Sequence, residues 1–151
     1  MKILLKITAL LLVCIFAISC SRDDSDISNN NNTPPAASGF TWKENSQSAA
    51  DKVAASSEVR TMYKSIFAFA NADGTGTLFE INLTDVIPGT YDFAMVGNSF
   101  YMQTMAPGTI TGKIIITANN GSKASGTFEA FSTGTTGVTK VYGTFTNIVV
   151  K

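Results

Sequence analysis

The chain has 151 residues, and residues 39–151 carry eight basic and eight acidic side chains. Nucleic-acid recognition needs a clustered basic footprint, which an even scatter of charge does not provide, so we expect no nucleic-acid partner. The chain has no histidine, and its two cysteines, Cys14 and Cys20, lie near the amino terminus. This composition excludes the usual zinc and copper sites and the Ser-His-Asp and Cys-His catalytic arrangements from residues 39–151.

Residues 1–19 have the pattern of a bacterial signal peptide. Lys2 and Lys6 form a short cationic start, and the mostly apolar run 7–18 follows. This run is shorter than the roughly 20 residues that a membrane-spanning helix needs, and it is typical of the core of a cleaved signal peptide. We therefore predict that residues 1–19 are removed on export.

The run closes with Ala17-Ile18-Ser19-Cys20, which resembles a lipobox. The resemblance implies that Cys20 carries the lipid and becomes the first residue of the mature chain. Since Cys14 lies in the cleaved segment, Cys20 has no disulfide partner in an oxidising compartment, and lipidation explains a single cysteine. Leucine is usual where Ala17 stands, so a soluble secreted product cleaved elsewhere is the alternative.

An acidic segment, Ser21-Arg22-Asp23-Asp24-Ser25-Asp26, follows the cysteine. It resembles the export signal of surface lipoproteins in the Bacteroidota, with Ser21, Asp23 and Asp24 as the matching residues. The resemblance implies the outer membrane of a Gram-negative bacterium and display at the cell surface. The alternative is the periplasmic face of that membrane, with the charges only keeping a tether solvated. Residues 20–38 have almost no large apolar side chains, so we predict a disordered linker.

Residues 39–151 form one predicted all-β domain. Phe79, Ile81 and Leu83 alternate with polar residues, as in a half-buried strand. We expect an antiparallel β-sandwich or a barrel-like meander of about seven to nine strands. Periodicity alone does not separate a sandwich from a closed barrel.

The local signals give three further expectations in chain order. Residues 48–57 fit a short helix, which Ser48 would cap, or an alanine-rich edge strand. Residues 71–76 are rich in glycine and aspartate, so segments 62–70 and 77–84 are predicted to pair as a hairpin. A Gly-Thr-apolar unit recurs four times and should start or centre one strand each time. The units are Gly89-Thr90-Tyr91, Gly108-Thr109-Ile110, Gly126-Thr127-Phe128 and Gly143-Thr144-Phe145.

These units, together with the early Trp42, resemble uncharacterised all-β lipoprotein domains of the Bacteroidota. The resemblance covers roughly residues 86–150. It implies the all-β fold, and the family brings no established activity to this chain.

No nucleotide-binding glycine loop is present, and we predict no catalytic residue, no cofactor and no metal site. Two weaker alternatives remain. Carboxylates alone can hydrolyse glycosides, and the candidates are Glu80, Asp85, Asp92 and Glu129. A calcium ion would need oxygen ligands such as Asn71, Asp73 and Asp85, but their spacing lacks a calcium loop.

Exposed aromatic side chains are the remaining candidates for ligand or partner contact. They are Trp42, Phe100, Tyr101 and Tyr142. Core packing is the competing interpretation of Trp42, whereas residues 100–102 fit an edge strand that shows an apolar patch.

The sequence thus favours a non-catalytic binding module for a glycan, a protein or a small apolar ligand, anchored in the membrane through Cys20. A structural or assembly lipoprotein of the envelope is the alternative, and a carboxylate-dependent glycosidase is the third.

Overall fold

Strands and short turns make up the described part of the chain. The computed structural model describes residues 38–151, so the predicted signal peptide, Cys20, Ser21, Asp23 and Asp24 lie outside the described residues. The ten strands are β1 (Gly39–Glu44), β2 (Lys52–Val53), β3 (Ser56–Arg60), β4 (Ser65–Phe69), β5 (Thr77–Asn82), β6 (Gly89–Asp92), β7 (Ser99–Met102), β8 (Ile110–Asn119), β9 (Lys123–Ser132) and β10 (Lys140–Val150). A 3₁₀ turn spans Thr61–Tyr63. The predicted all-β class is confirmed. No helix in residues 38–151 is long and apolar enough to span a membrane.

The strands form one sheet in the order β6-β8-β9-β10-β3-β4-β5-β7, with β1 on β10 and β2 on β1. All of these pairs are antiparallel except β10 with β3. The strands at the two ends of the path, β6 and β7, do not pair with each other. The described sheet is therefore curled but open, which separates it from a hydrogen-bonded closed barrel.

Strand β10 joins the two halves of the curled sheet. Along one edge it pairs with β1 through residues 141–146 and then with β3 through Val149 and Val150. The register to β9 shifts between Phe145 and Ile148, and Asn147 in this bulge has φ 50°. A bulge bends its strand and increases the local twist, so β10 can belong to both halves.

The core lies between the inner faces of the two halves and is filled by aromatic rings. Phe79 is the central ring, with its centroid 4.9 Å from that of Phe40, 5.0 Å from Trp42 and 5.7 Å from Phe128. Phe79 is fully buried, as are its alternating neighbour Ile81 and the β4 residue Ile66. These tilted and edge-on contacts are favourable arrangements for aromatic rings.

The Gly-Thr-Phe units have a clear structural role in the paired strands β9 and β10. Gly143 stands opposite Phe128, and Gly126 stands opposite Phe145. A Cβ added at Gly143 would lie within 2.9 Å of three ring atoms of Phe128. Each glycine therefore makes room for the phenylalanine of the other strand, while the intervening threonines point outwards.

The predicted hairpin of segments 62–70 and 77–84 is confirmed, since β4 and β5 pair across the turn at residues 71–76. The sequence predicts either a short helix or an edge strand at residues 48–57, and the structure has strand there. Lys52–Val53 form β2, and β3 begins at Ser56. An ion pair joins β2 to β1 at this edge of the sheet, with Lys52 Nζ 2.7 Å from Glu44 Oε2.

Candidate functional site

Two rows of mostly polar side chains cross the outer face of the β6-β8-β9-β10-β1 half of the sheet. Cross-strand pairing brings the members of each row side by side. The charged row is Lys43, Tyr142, Glu129, Lys113 and Asp92, and the hydroxyl row is Thr41, Thr144, Thr127, Ile115 and Thr90. Residues two apart on a strand share a face, so both rows point away from the core.

The first four members of each row line a groove of about 450 Å³, here called the β8–β1 groove. Gln47 and Asp51, from the loop between β1 and β2, form its wall beside β1. Lys43 holds this loop, since its Nζ donates to the Gln47 carbonyl at 3.0 Å and lies 3.9 Å from Asp51 Oδ1. The volume falls within the range of about 300–1,000 Å³ that is typical of ligand sites.

Polar groups in the groove are available to a ligand. The hydroxyls of Thr127, Thr144 and Tyr142 have no hydrogen-bond partner among the described residues. Lys113 Nζ lies 3.6 Å from Glu129 Oε1, and both side chains are more than one third exposed. Exposed ion pairs contribute at most about 1 kcal/mol, so a ligand can replace this contact at little cost.

Tyr142 supplies the aromatic surface of the groove. Its ring meets the Phe131 ring edge-on, with centroids 5.9 Å apart and an interplanar angle of 78°. This contact fixes the ring while leaving Tyr142 only half-buried. The groove thus combines a positioned aromatic ring, unpaired hydroxyls and charges of both signs.

A second polar surface lies on the outer face of the other half, around Arg60, Phe67, Glu80 and Asn82, with a depression of about 350 Å³. Its polar groups bind one another. Asn82 Nδ2 donates to Glu80 Oε1 at 3.1 Å, and Asn82 Oδ1 accepts from Ser65 Oγ at 2.5 Å. The Arg60 guanidinium lies 4.6 Å from the centroid of the Phe67 ring. This network stabilises the sheet and leaves few groups for a ligand.

Glu58 connects that network to Lys151, the residue that follows β10. Its carboxylate is buried and accepts hydrogen bonds from Arg60 and Lys151. Burial by itself would raise the pKa of Glu58, but the hydrogen bonds and charges of Lys151 and Arg60 outweigh burial and hold it below the ordinary value. The ion pairs tie β3 to the end of β10, where the two strands run parallel.

The four aromatic candidates divide into two pairs. Trp42 and Phe100 are only 6 % and 8 % exposed and pack in the core, so as ligand contacts they are corrected to core residues. Trp42 satisfies its ring nitrogen by donating to Glu44 Oε1 at 3.0 Å. Tyr101 is 52 % exposed on β7, and Tyr142 lies in the β8–β1 groove.

The candidate carboxylates do not form one close pair, because Glu129 and Asp92 share the charged row but Lys113 lies between them. Glu80 lies on β5 and Glu129 on β9, four places apart in the order of the sheet. Asp73 belongs to the β4–β5 turn, where it accepts hydrogen bonds from the Thr75 hydroxyl and backbone that lower its pKa. Asp85 follows the opposite end of β5, away from Asp73. Within residues 38–151, no three carboxylate, histidine or cysteine side chains are grouped to hold a metal ion.

Sequence reasoning missed most of the groove. Sequence patterns alone do not mark Lys43, Lys113, Thr127 and Thr144 as contacts, and they present Glu129 only as a candidate catalytic carboxylate. The Gly-Thr-Phe repeat contained the signal, because a buried phenylalanine requires the preceding threonine to face outwards. Their neighbours on β1 and β8 become visible only through the register.

Comparison of the chain with protein-family models, with curated proteins and with solved structures returned no match.

Proposed function

We propose that this chain is a lipid-anchored lipoprotein of the outer membrane, displayed at the cell surface, whose β domain is a non-catalytic binding module. We further propose that the β8–β1 groove takes a hydroxyl-rich ligand, a glycan. The observation that carries the proposal is the groove itself, in which Tyr142 stands among free hydroxyls and paired charges. The periplasmic face of the membrane is the alternative address.

The chemistry of the groove matches a sugar better than an apolar ligand. A tyrosine ring packs on the C–H face of a sugar ring and keeps its hydroxyl for a polar contact. Glu129 and Lys113 can accept from and donate to neighbouring sugar hydroxyls. A small apolar ligand would leave these groups unpaired, and the interior of the sheet is filled by Phe79 and its neighbours.

The proposed location at the outer membrane rests on the sequence of residues 1–24. Residues 1–19 have the signal-peptide pattern, Cys20 ends a lipobox-like segment, and Ser21, Asp23 and Asp24 resemble a surface-export signal. A membrane anchor would concentrate an open, shallow site next to its ligand, which suits a groove that does not enclose its occupant.

The test is a glycan array probed with the lipidated protein purified from membranes. We expect saturable binding to a glycan class and a loss on the order of tenfold in Tyr142→Ala, since aromatic anchors carry much of the binding energy at such sites. Tyr101→Ala is the matched control, because Tyr101 is an exposed tyrosine on the other half of the sheet and should leave binding unchanged.

Three outcomes would replace parts of the proposal. Binding unaffected by Tyr142→Ala would remove the groove as the site. Absence of saturable glycan binding, with stable co-purification of an envelope complex, would favour the assembly role instead. A Cys20→Ser chain that still fractionates with the outer membrane, together with an unmodified mass for the wild type, would exclude the lipid anchor.

A further inference from the structure

Exposed apolar side chains concentrate on three neighbouring loops. Of the eight large apolar residues that are exposed in residues 38–151, five lie on the loops at 61–64, 83–88 and 93–98. They are Met62 at 87 %, Tyr63 at 67 %, Ile87 at 59 %, Met95 at 64 % and Val96 at 96 % exposure. A cluster of this kind marks a surface that a partner covers.

Hydrogen bonds join these loops into one surface, here called the apolar rim. Lys64 Nζ donates to the Thr84 carbonyl at 2.8 Å, and the Leu83 amide donates to the Lys64 carbonyl at 3.0 Å. The Thr84 amide in turn donates to Asn98 Oδ1 at 2.8 Å. The apolar side chains of the rim are therefore held on a fixed scaffold.

The first described residues, Ser38 and Gly39, lie near the same end of the sheet. Strand β1 runs antiparallel to β10 and begins with Gly39 opposite Thr146, and Ser38 Oγ donates to the Asn147 carbonyl at 3.1 Å. Lys151 lies four residues after Asn147, and its carbonyl oxygen accepts a hydrogen bond from the Thr61 amide at the start of the rim. At about 3.3 Å per residue, Ser38 enters the domain about 13 Å from this end.

We propose that the apolar rim docks on the lipid bilayer that holds the anchor, with its loop tips inserted among the headgroups. This inference rests on the lipid anchor at Cys20 proposed above. The 18 residues between Cys20 and Gly39 reach at most about 65 Å, so they permit the domain to stand away from the bilayer or to lie on it. The composition of the rim favours the state in which the domain lies on the bilayer, because tyrosine and aliphatic side chains favour the membrane interface.

Docking would also orient the binding site. The β8–β1 groove lies on an outer face of the sheet and not at the rim, so it would stay open to solvent while the rim is covered. The groove and the membrane contact are thus compatible in one orientation of the domain.

The test places an environment-sensitive fluorophore at Val96→Cys in the lipidated full chain, reconstituted in phosphatidylcholine vesicles with and without brominated acyl chains. Val53→Cys is the matched control, since Val53 is also an exposed valine but pairs with Thr41. Thr41 pairs in turn with Thr144, which precedes Lys151 by seven residues. Val53 therefore lies about 23 Å, measured along β10, from the end of the sheet that carries the rim. We expect a blue shift and quenching at position 96 and neither at position 53.

Equal responses at the two positions would overturn the proposal. A blue shift at position 96 that rises with protein concentration and is insensitive to brominated lipid would also overturn it, because a second copy would then cover the rim. The intact mass of the mature chain reports the anchor independently. If Cys20 is unmodified, the same labels in a Cys14→Ala, Cys20→Ala chain mixed with vesicles still decide the rim, with quenching at position 96 supporting it and its absence refuting it.

Discussion

Replacing Gly143 by alanine should destabilise the domain, because the new methyl group would occupy the space of the Phe128 ring. Within the core, the centroid of that ring lies 5.2 Å from the centroid of Phe40 and 5.9 Å from that of Phe100, so these neighbours restrict its movement. Overpacking a core costs about 1–3 kcal/mol. Alanine recovers about 0.5–1 kcal/mol of the cost of glycine in a strand, which leaves a net loss of up to about 2.5 kcal/mol.

The assay is urea unfolding followed by the fluorescence of Trp42, the single tryptophan, which lies in the core. Gly89→Ala is the matched control, since Gly89 begins another of the Gly-Thr-apolar units. A Cβ there would lie 3.6 Å from the Tyr91 ring, an ordinary contact, so this variant should be neutral or slightly more stable. The reasoning is refuted if Gly143→Ala unfolds at the wild-type midpoint, or if Gly89→Ala loses as much stability.

Substitutions at two further positions, Glu58 and Asn45, test local contacts. Glu58→Gln should lower the free energy of unfolding by about 1–3 kcal/mol at neutral pH, since it weakens charge-assisted hydrogen bonds. The pKa of Glu58 is held below its ordinary value of 4.5, so the stabilisation is present above that value and lost as pH falls through the native pKa. Urea melts should therefore differ at neutral pH and converge in acid, and a constant gap would contradict the ion-pair assignment. Asn45 has φ 61°, and its Oδ1 accepts a hydrogen bond from the Thr139 amide at 2.9 Å. Asn45→Ala should therefore lower stability more than Asn45→Gly, because glycine tolerates that φ and alanine does not. Equal melting temperatures for the two variants would exclude backbone strain as a cause.

Local patterns carried most of the fold prediction. The β4–β5 hairpin follows from its glycine-rich turn and flanking alternation, and the core positions Phe79 and Ile81 follow from period-two spacing. The parallel pairing of β10 with β3 does not, because Val149 and Glu58 are 91 positions apart and neither strand signals its partner. The choice between a sandwich and a barrel depended on such long-range pairings, so only the structure resolves it as an open, curled sheet.

The candidate site was less accessible to sequence reasoning for the same reason. The sequence marks Tyr142 as a candidate contact, whereas Lys43 and Lys113 join it only because β1 pairs with β10 and β8 pairs with β9 in this register. Trp42 shows the opposite case. Nothing local to a tryptophan near a strand start distinguishes an exposed platform from a core residue, and the packing of Phe40 and Phe79 around it makes it a core residue.

The most direct test of the proposed groove is a titration of the methyl-labelled protein with the glycan that the array selects, followed by NMR. Ile115, Thr127 and Thr144 line the groove and carry methyl groups, and Ile87 supplies a methyl probe on the apolar rim. We predict saturable shifts at the three groove methyls and none at Ile87. Shifts confined to other parts of the sheet, with the groove methyls unchanged, would contradict the assignment of the β8–β1 groove as the binding site.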